Sequence, residues 1–202
     1  MKKQVVLIRG GETFDTYEQF ISFLKSYEPD FGKLTAQGWK ETLGTSLGTD
    51  FEVVMPKMPN SLNAKYLEWK IYFDKLVPFF NKEVVLVGNS LGSLFLAKYL
   101  SENVLPKKIL GLFLVGAPYD AADSEYSLAD FTIPKNLNGL SKQSQNIHFY
   151  YSSDDPIIPR PDMDKYKTAL PQVQFSLLDD RGHFTQESFP ELVEDIKKAF
   201  SK

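Results

Sequence analysis

The chain has no cysteine. It therefore forms no disulfide, carries no thiolate nucleophile and builds no cysteine-based metal site, and a reducing, cytoplasmic compartment suits it. Histidine is nearly as scarce: 2 residues in 202, His148 and His183, must supply any imidazole chemistry. Positive charge is not in excess. Lys and Arg total 23 against 26 Asp and Glu, a net charge of -3, so no basic footprint invites nucleic acid. No apolar run approaches the roughly 18 residues a membrane span needs, and no membrane insertion is expected. The opening run, residues 1–9, has two lysines and then an apolar stretch too short for a signal peptide, and it ends in arginine. Repeats and low-complexity tracts are absent. What remains, 43% hydrophobic and 24% charged, suits one soluble globular domain over residues 1–202.

Apolar runs and apolar periodicity alternate along the chain. Residues 5–8, 51–55, 84–87, 109–115, 147–151 and 173–178 read as strands, several of them continuous β-branched or aliphatic runs of the kind buried on both faces. Between them lie helical patterns over residues 15–27, 35–47, 62–77, 93–100, 162–170 and 188–200. Thr16 with Gln19 and Ser188 with Glu191 have capping-box spacing. Pro29 and Gly32 mark a break after the first helix, and Pro78 an end or kink in the third. Strands alternating with helices predict an α/β fold: about six mostly parallel strands with helices on both faces, a three-layer α/β/α sandwich. Residues 12–34 are a candidate lid. Residues 119–145, polar with scattered apolar positions, fit a small cap or irregular crossover rather than a core element.

The third strand runs directly into Gly88-Asn89-Ser90-Leu91-Gly92, and a helical pattern follows at once. Strand, G-x-S-x-G and helix form the context of a nucleophile elbow, in which a serine is exposed on a strained turn at a helix N-terminus. In parallel sheets ligands bind beyond the carboxyl ends of the strands. There the chain also places Arg9-Gly10-Gly11, Asp154-Asp155 and Arg181-Gly182-His183. A serine hydroxyl needs a base to take its proton and a third group to hold that base. His183, in a turn after the last strand, is the candidate base; His148, inside the fifth strand, reads as a half-buried structural residue. For the acid, Asp155 is preferred because Pro156 fixes its backbone direction. Asp154 is the runner-up, and Asp179 and Asp180 read as loop residues. Ser90, Asp155, His183 is the chain order of an α/β-hydrolase. Backbone N–H groups of Leu91 and Gly11 are the candidate oxyanion hole.

Four stretches carry a family resemblance: Met58-Pro59-Asn60 with Trp69 further on, the Gly88–Gly92 pentad, Ser153-Asp154-Asp155-Pro156-Ile157-Ile158-Pro159, and Gly182-His183-Phe184. The chain resembles a compact α/β-hydrolase, within it the retinoblastoma-binding-protein type of small serine hydrolases and their YdeN-like relatives. The resemblance implies Ser90, Asp155 and His183 as the triad on a reduced six-stranded sheet. It also implies a metal-independent, cofactor-free hydrolase of esters or related acyl compounds. The family more often has His where this chain has Asn89, and residues 12–34 are longer than the matching loop. Mammalian members are linked to retinoblastoma protein through an L-x-C-x-E motif, and a chain without cysteine does not carry that partner over.

These readings converge on a serine hydrolase cleaving a small or medium acyl ester or thioester, carboxylesterase-like. Phe14, Phe20 and Phe23 of the candidate lid would line its acyl pocket, set against plain helix packing, the readier use for most of them. The chief alternative is a non-catalytic hydrolase-fold binding protein. A further reading, a nucleotide-binding doubly wound domain using Arg9-Gly10-Gly11 as a phosphate turn, is disfavoured because the chain has neither G-x-G-x-x-G nor the P-loop lysine pattern. The only arginines, Arg9, Arg160 and Arg181, each follow a strand end on the candidate active edge. Arg9 is the candidate binder of an anionic substrate group, set against local pairing of these arginines with Glu12, Asp162 or Asp179.

Overall fold

The computed structural model describes residues 2–122 and 126–201, with Lys33 and Leu34 described by backbone alone. Six strands form its sheet: β1 (Lys3–Ile8), β2 (Phe51–Val54), β3 (Glu83–Asn89), β4 (Lys108–Val115), β5 (Ile147–Ser152) and β6 (Gln174–Leu178). Their order is β2-β1-β3-β4-β5-β6, and every pairing is parallel. The chain steps outward from β1 to β2, then returns across β1 to β3 and continues the other way. The crevice between β1 and β3 is therefore the topological switch point, where α/β sheets bind ligands.

Side-chain alternation divides the central strands between two cores. Val6, Ile8, Val84, Leu86, Leu112 and Leu114 face one side. Val5, Leu7, Val85, Val87, Phe113 and Val115 face the other. Helices α1 (Tyr17–Ser26), α2 (Phe31–Thr35) and α3 (Trp39–Leu47) lie between β1 and β2 in sequence; α4 (Tyr66–Leu76) and α5 (Leu91–Glu102) flank β3. Next come α6 (Asn138–Gln143), α7 (Arg160–Ala169) and α8 (Pro190–Ala199). Trp69 and Phe73 of α4, most of α5, Leu140 of α6 and Met163 and Tyr166 of α7 fill the first core. Trp39, Leu43 and Leu47 of α3 and Leu192, Ile196 and Ala199 of α8 fill the second. This is a three-layer α/β/α fold. Among the described residues no helix is long and apolar enough to cross a membrane.

Several boundaries differ from the sequence pattern. The predicted 62–77 helix begins only at Tyr66, after a 3-10 turn over Ser61–Asn63, and a second 3-10 turn takes up Pro78. The second predicted helix starts at Trp39, where the Glu41 side chain accepts the Gly38 N–H (3.0 Å). A five-residue helix, α2, forms where Gly32 suggested only a break, because the Asp30 carboxylate accepts the Gly32 N–H (2.9 Å) at its start. The Thr16–Gln19 capping box is made, whereas Ser188–Glu191 is not: α8 starts at Pro190, and Glu191 is drawn to Arg181 (2.7 Å). The crossover at 119–145, of which residues 123–125 lie outside the described residues, is no mere cover. Leu128, Phe131, Leu137 and Leu140 are buried in the first core.

Candidate active site

Ser90 sits between β3 and α5 with φ 55 and ψ -125, a conformation a serine adopts only where surrounding packing enforces it. The flanking glycines show what enforces it. A Cβ on Gly88 would lie 2.5 Å from Ser93 Cα, and one on Gly92 would lie 2.2 Å from the Ile8 carbonyl oxygen. Only glycine lets α5 close onto β1 and β3 at this turn. The Ser90 N–H and the Ser93 hydroxyl both donate to the Val115 carbonyl, at 2.8 and 2.9 Å, tying the turn to the end of β4.

His183 lies in the turn between β6 and α8. Its Nε2 is 2.9 Å from Ser90 Oγ, and its Nδ1 is 2.9 Å from Asp155 Oδ2. An ionised carboxylate only accepts, so Nδ1 carries the hydrogen and Nε2 is left to accept the serine proton. Asp155 is held in turn. Its Oδ1 accepts the N–H groups of Ile157 (2.9 Å) and Ile158 (3.0 Å), and its side chain is 2% exposed. Gly116, at φ 53, floors the pair; a Cβ there would touch His183 Cε1 at 3.5 Å. Asp154 points the other way. Its Oδ1 accepts the Ser152 hydroxyl and the N–H groups of Arg181 (3.2 Å) and Gly182 (3.0 Å), so it braces the turn that carries His183. These bonds, the Ser152 hydroxyl first, hold the Asp154 carboxyl below its ordinary pKa. A second brace comes from α3, where the buried Trp39 indole N–H donates to the Phe184 carbonyl (2.8 Å).

Leu91 opens α5, so its N–H has no intrahelical acceptor. Gly10 and Gly11 pass close by: a Cβ on Gly10 would fall 2.9 Å from Ser90 Cβ, and one on Gly11 would fall 2.5 Å from the Ser61 carbonyl oxygen. A cavity of about 410 Å³ opens over this point, lined by Ser90, His183, Leu91, Gly10 and Gly11. Leu62, Pro118, Tyr126, Leu128, Ile157 and Ile158 form apolar wall; Arg9, Lys40, Glu12 and Thr13 form polar wall. Phe14, Phe20 and Phe23 do not line it, but cluster on one another, with Phe14 5.5 and 5.1 Å from the other two ring centres.

Of the other sequence candidates, Arg9 pairs with Glu41 (2.8 Å) and Arg181 with Glu191, partners that the sequence reading did not anticipate. Arg160 begins α7 and does not line the cavity. His148 is buried in β5 away from the cavity, with Nδ1 3.1 Å from Asp195 and Nε2 2.8 Å from Ser176 Oγ. Lys40 was not among the sequence candidates. Its neighbour Trp39 begins the apolar stripe of α3, but nothing local says that this helix start faces Ser90.

A parallel sheet with a strained serine at its switch point, bonded to a histidine from the last strand–helix turn, defines an α/β hydrolase with a nucleophile elbow. The chain belongs to the Serine hydrolase family, which it matches over residues 29–201. It is 22% identical over 170 residues to serine hydrolase RBBP9 of Rattus norvegicus, covering 82% of this chain and 88% of the relative. Among solved structures, the ydeN gene product of B. subtilis superposes with a TM-score of 0.73 at 18% identity, covering all of both chains. Est1E of Butyrivibrio proteoclasticus superposes with a TM-score of 0.59 at 12% identity, covering 100% of this chain and 90% of that one. The family makes the chain a serine hydrolase, similar to RBBP9 in sequence and to the ydeN product in fold.

Proposed function

We propose that the protein is a carboxylesterase-like enzyme that cleaves a small or medium acyl ester or thioester through an acyl-enzyme. Ser90 Oγ attacks the acyl carbon while His183 Nε2 takes its proton. Asp155 holds the imidazole in the tautomer that can do so and stabilises the imidazolium. The oxyanion of the tetrahedral intermediate is received by the N–H groups of Leu91 and Gly11. His183 then gives its proton to the leaving alcohol or thiol, and the acyl group stays on Ser90. A water molecule, deprotonated by the same nitrogen, attacks the acyl-enzyme and releases the acid. The apolar wall formed by Leu62, Leu128, Ile157 and Ile158 suits the acyl chain.

The observation that carries this reading is the unbroken hydrogen-bond chain from Ser90 Oγ through His183 to Asp155, starting at a serine with φ 55. Structural serines have no need of that backbone. The test is intact mass after exposure to a fluorophosphonate probe. Wild type should gain a single adduct that Ser90→Ala and His183→Ala both lack. Asp155→Asn, which leaves the wrong histidine tautomer, should lower kcat by about 10³–10⁴-fold. No adduct on folded wild type, or an adduct that persists in Ser90→Ala, would overturn the proposal.

A further inference from the structure

Lys40 is a cation without a counter-ion among the described residues. It is the second residue of α3, half-buried, and it lines the same cavity as Ser90. Its Nζ lies 5.4 Å from the centre of the Trp39 ring. Among the described residues it makes no ion pair and no hydrogen bond. The nearby carboxylate, Glu41, is already engaged at both oxygens: Oε1 pairs with Arg9 Nη1 at 2.8 Å, and Oε2 accepts the Gly38 N–H at 3.0 Å. Burial and the adjacent Arg9 charge both draw the Lys40 ammonium below its ordinary pKa, against the weaker opposing pull of Glu41. Withdrawing an ammonium from water without a partner is unfavourable unless something else supplies the negative charge.

Arg9 faces the same cavity. It is half exposed, and its pairing with Glu41 engages Nη1, which leaves most of the guanidinium's five donors open. Glu12, the one carboxylate in the cavity lining, is exposed; water screens it, and it pairs with neither cation among the described residues. The cavity lining thus combines apolar side chains with two donors of positive charge and includes Ser90.

We infer that Lys40, together with Arg9, forms an anion subsite beside Ser90, and that the substrate of this enzyme is an acyl ester or thioester carrying a carboxylate. The inference rests on the serine-hydrolase reading and specifies its substrate class. A carboxylate bound there completes the charge of Lys40, and the apolar wall receives the rest of the molecule.

The experiment compares matched esters that differ in one carboxylate, with acid release followed by pH-stat. Monomethyl glutarate against methyl pentanoate places the charge on the acyl part. O-butyrylglycolate against propyl butyrate places it on the leaving group. Wild type should favour the anionic member of one pair by at least about tenfold in kcat/KM, expressed in KM, as expected for a charge-assisted hydrogen bond. Lys40→Met, which keeps the stem over Trp39 and removes the charge, should lower that ratio about tenfold; Lys40→Arg should keep most of it. A parallel thermal-shift series with glutarate alone reads the subsite without turnover. The wild-type Tm should rise with glutarate and that of Lys40→Met should not. If wild type is labelled at Ser90 and hydrolyses the neutral esters, yet prefers neither anionic member, the subsite is refuted and the hydrolase reading stands. If labelling fails, the hydrolase reading falls, and a glutarate shift equal in wild type and Lys40→Met removes the subsite as well.

Discussion

His148 and His183 each bridge a serine hydroxyl and a carboxylate at hydrogen-bond distance, so the three side chains alone do not distinguish them. Their surroundings do. Ser176 lies in an ordinary strand position of β6, away from the cavity over Ser90, whereas Ser90 has positive φ at a helix start and lines that cavity. Asp195, on α8, also accepts the Tyr150 hydroxyl (2.6 Å) and lies 3.6 Å from Lys198. That cluster pins β5, β6 and α8 together and has a consequence for acid stability. Burial depresses the His148 pKa, outweighing the opposite pull of Asp195. The unfolded chain therefore binds more protons than the folded one as pH falls below the ordinary histidine value of about 6.5. The stability held above that value is lost as pH drops through it toward the depressed folded value. Buried Asp162, raised to about 6 chiefly by burial, works in the opposite direction, because the folded state takes up its proton first. Comparing wild type with His148→Gln isolates the histidine. Between pH 8 and pH 5 the wild-type Tm should fall more steeply than that of the variant, and parallel curves would show that His148 contributes nothing.

At the scale of elements, what the sequence made legible is what depends on neighbours in the chain. The β-branched runs became strands, and strand, G-x-S-x-G and helix became the elbow, because both are local patterns. Helix starts were less legible, since caps compete with tertiary partners: Glu191 left Ser188 for Arg181, and Asp30 nucleated α2 despite Gly32. In the crossover, Leu128, Phe131, Leu137 and Leu140 follow no single period, and their burial is decided by α4 and α5 rather than by spacing. Lys40 was invisible for the same reason: its proximity to Ser90 arises from how α3 docks on the His183 turn. That docking rests on the Trp39 N–H bond to the Phe184 carbonyl and on the edge-on packing of Trp39 against Phe189, 5.6 Å between ring centres. Trp39→Phe retains an aromatic ring and removes the donor, leaving a buried carbonyl unpaired. Urea unfolding should show a loss of about 1–3 kcal/mol. If the bond also positions His183, kcat should fall while KM changes little; unchanged kcat in a destabilised variant would restrict Trp39 to a structural role.

At the scale of the whole molecule, the two cores account for every strand and for α3 to α8, but not for α1. No residue of α1 is buried. Its aromatic side chains pack on Phe14 and on one another, with Phe23 5.4 Å from Tyr27 between ring centres. The hydrogen bonds that tie this region to the body sit just before the helix. Thr13 donates to the Ser127 carbonyl, Ser127 donates to Asp15, and Lys65 donates to the Phe14 carbonyl (2.6 Å). Among the described residues α1 itself makes no hydrogen bond to the body, and beyond it the Trp39 N–H donates to the Gln186 carbonyl (3.0 Å). Such a segment opens at little cost, because opening exposes few buried contacts. It also begins at Glu12 and Thr13, which line the cavity over Ser90, so its movement bears directly on access to the serine. We propose on this basis that the segment acts as a lid. Tyr27 and Phe31, 53% and 79% exposed, offer chymotrypsin its first sites. Limited proteolysis followed by mass spectrometry should place the earliest cuts at or between these two residues while the sheet remains intact. Prior fluorophosphonate labelling should slow those cuts if the occupied cavity holds the segment down. First cuts within residues 126–145 instead would move the mobile element to the β4–β5 crossover and remove the case for α1 as the lid.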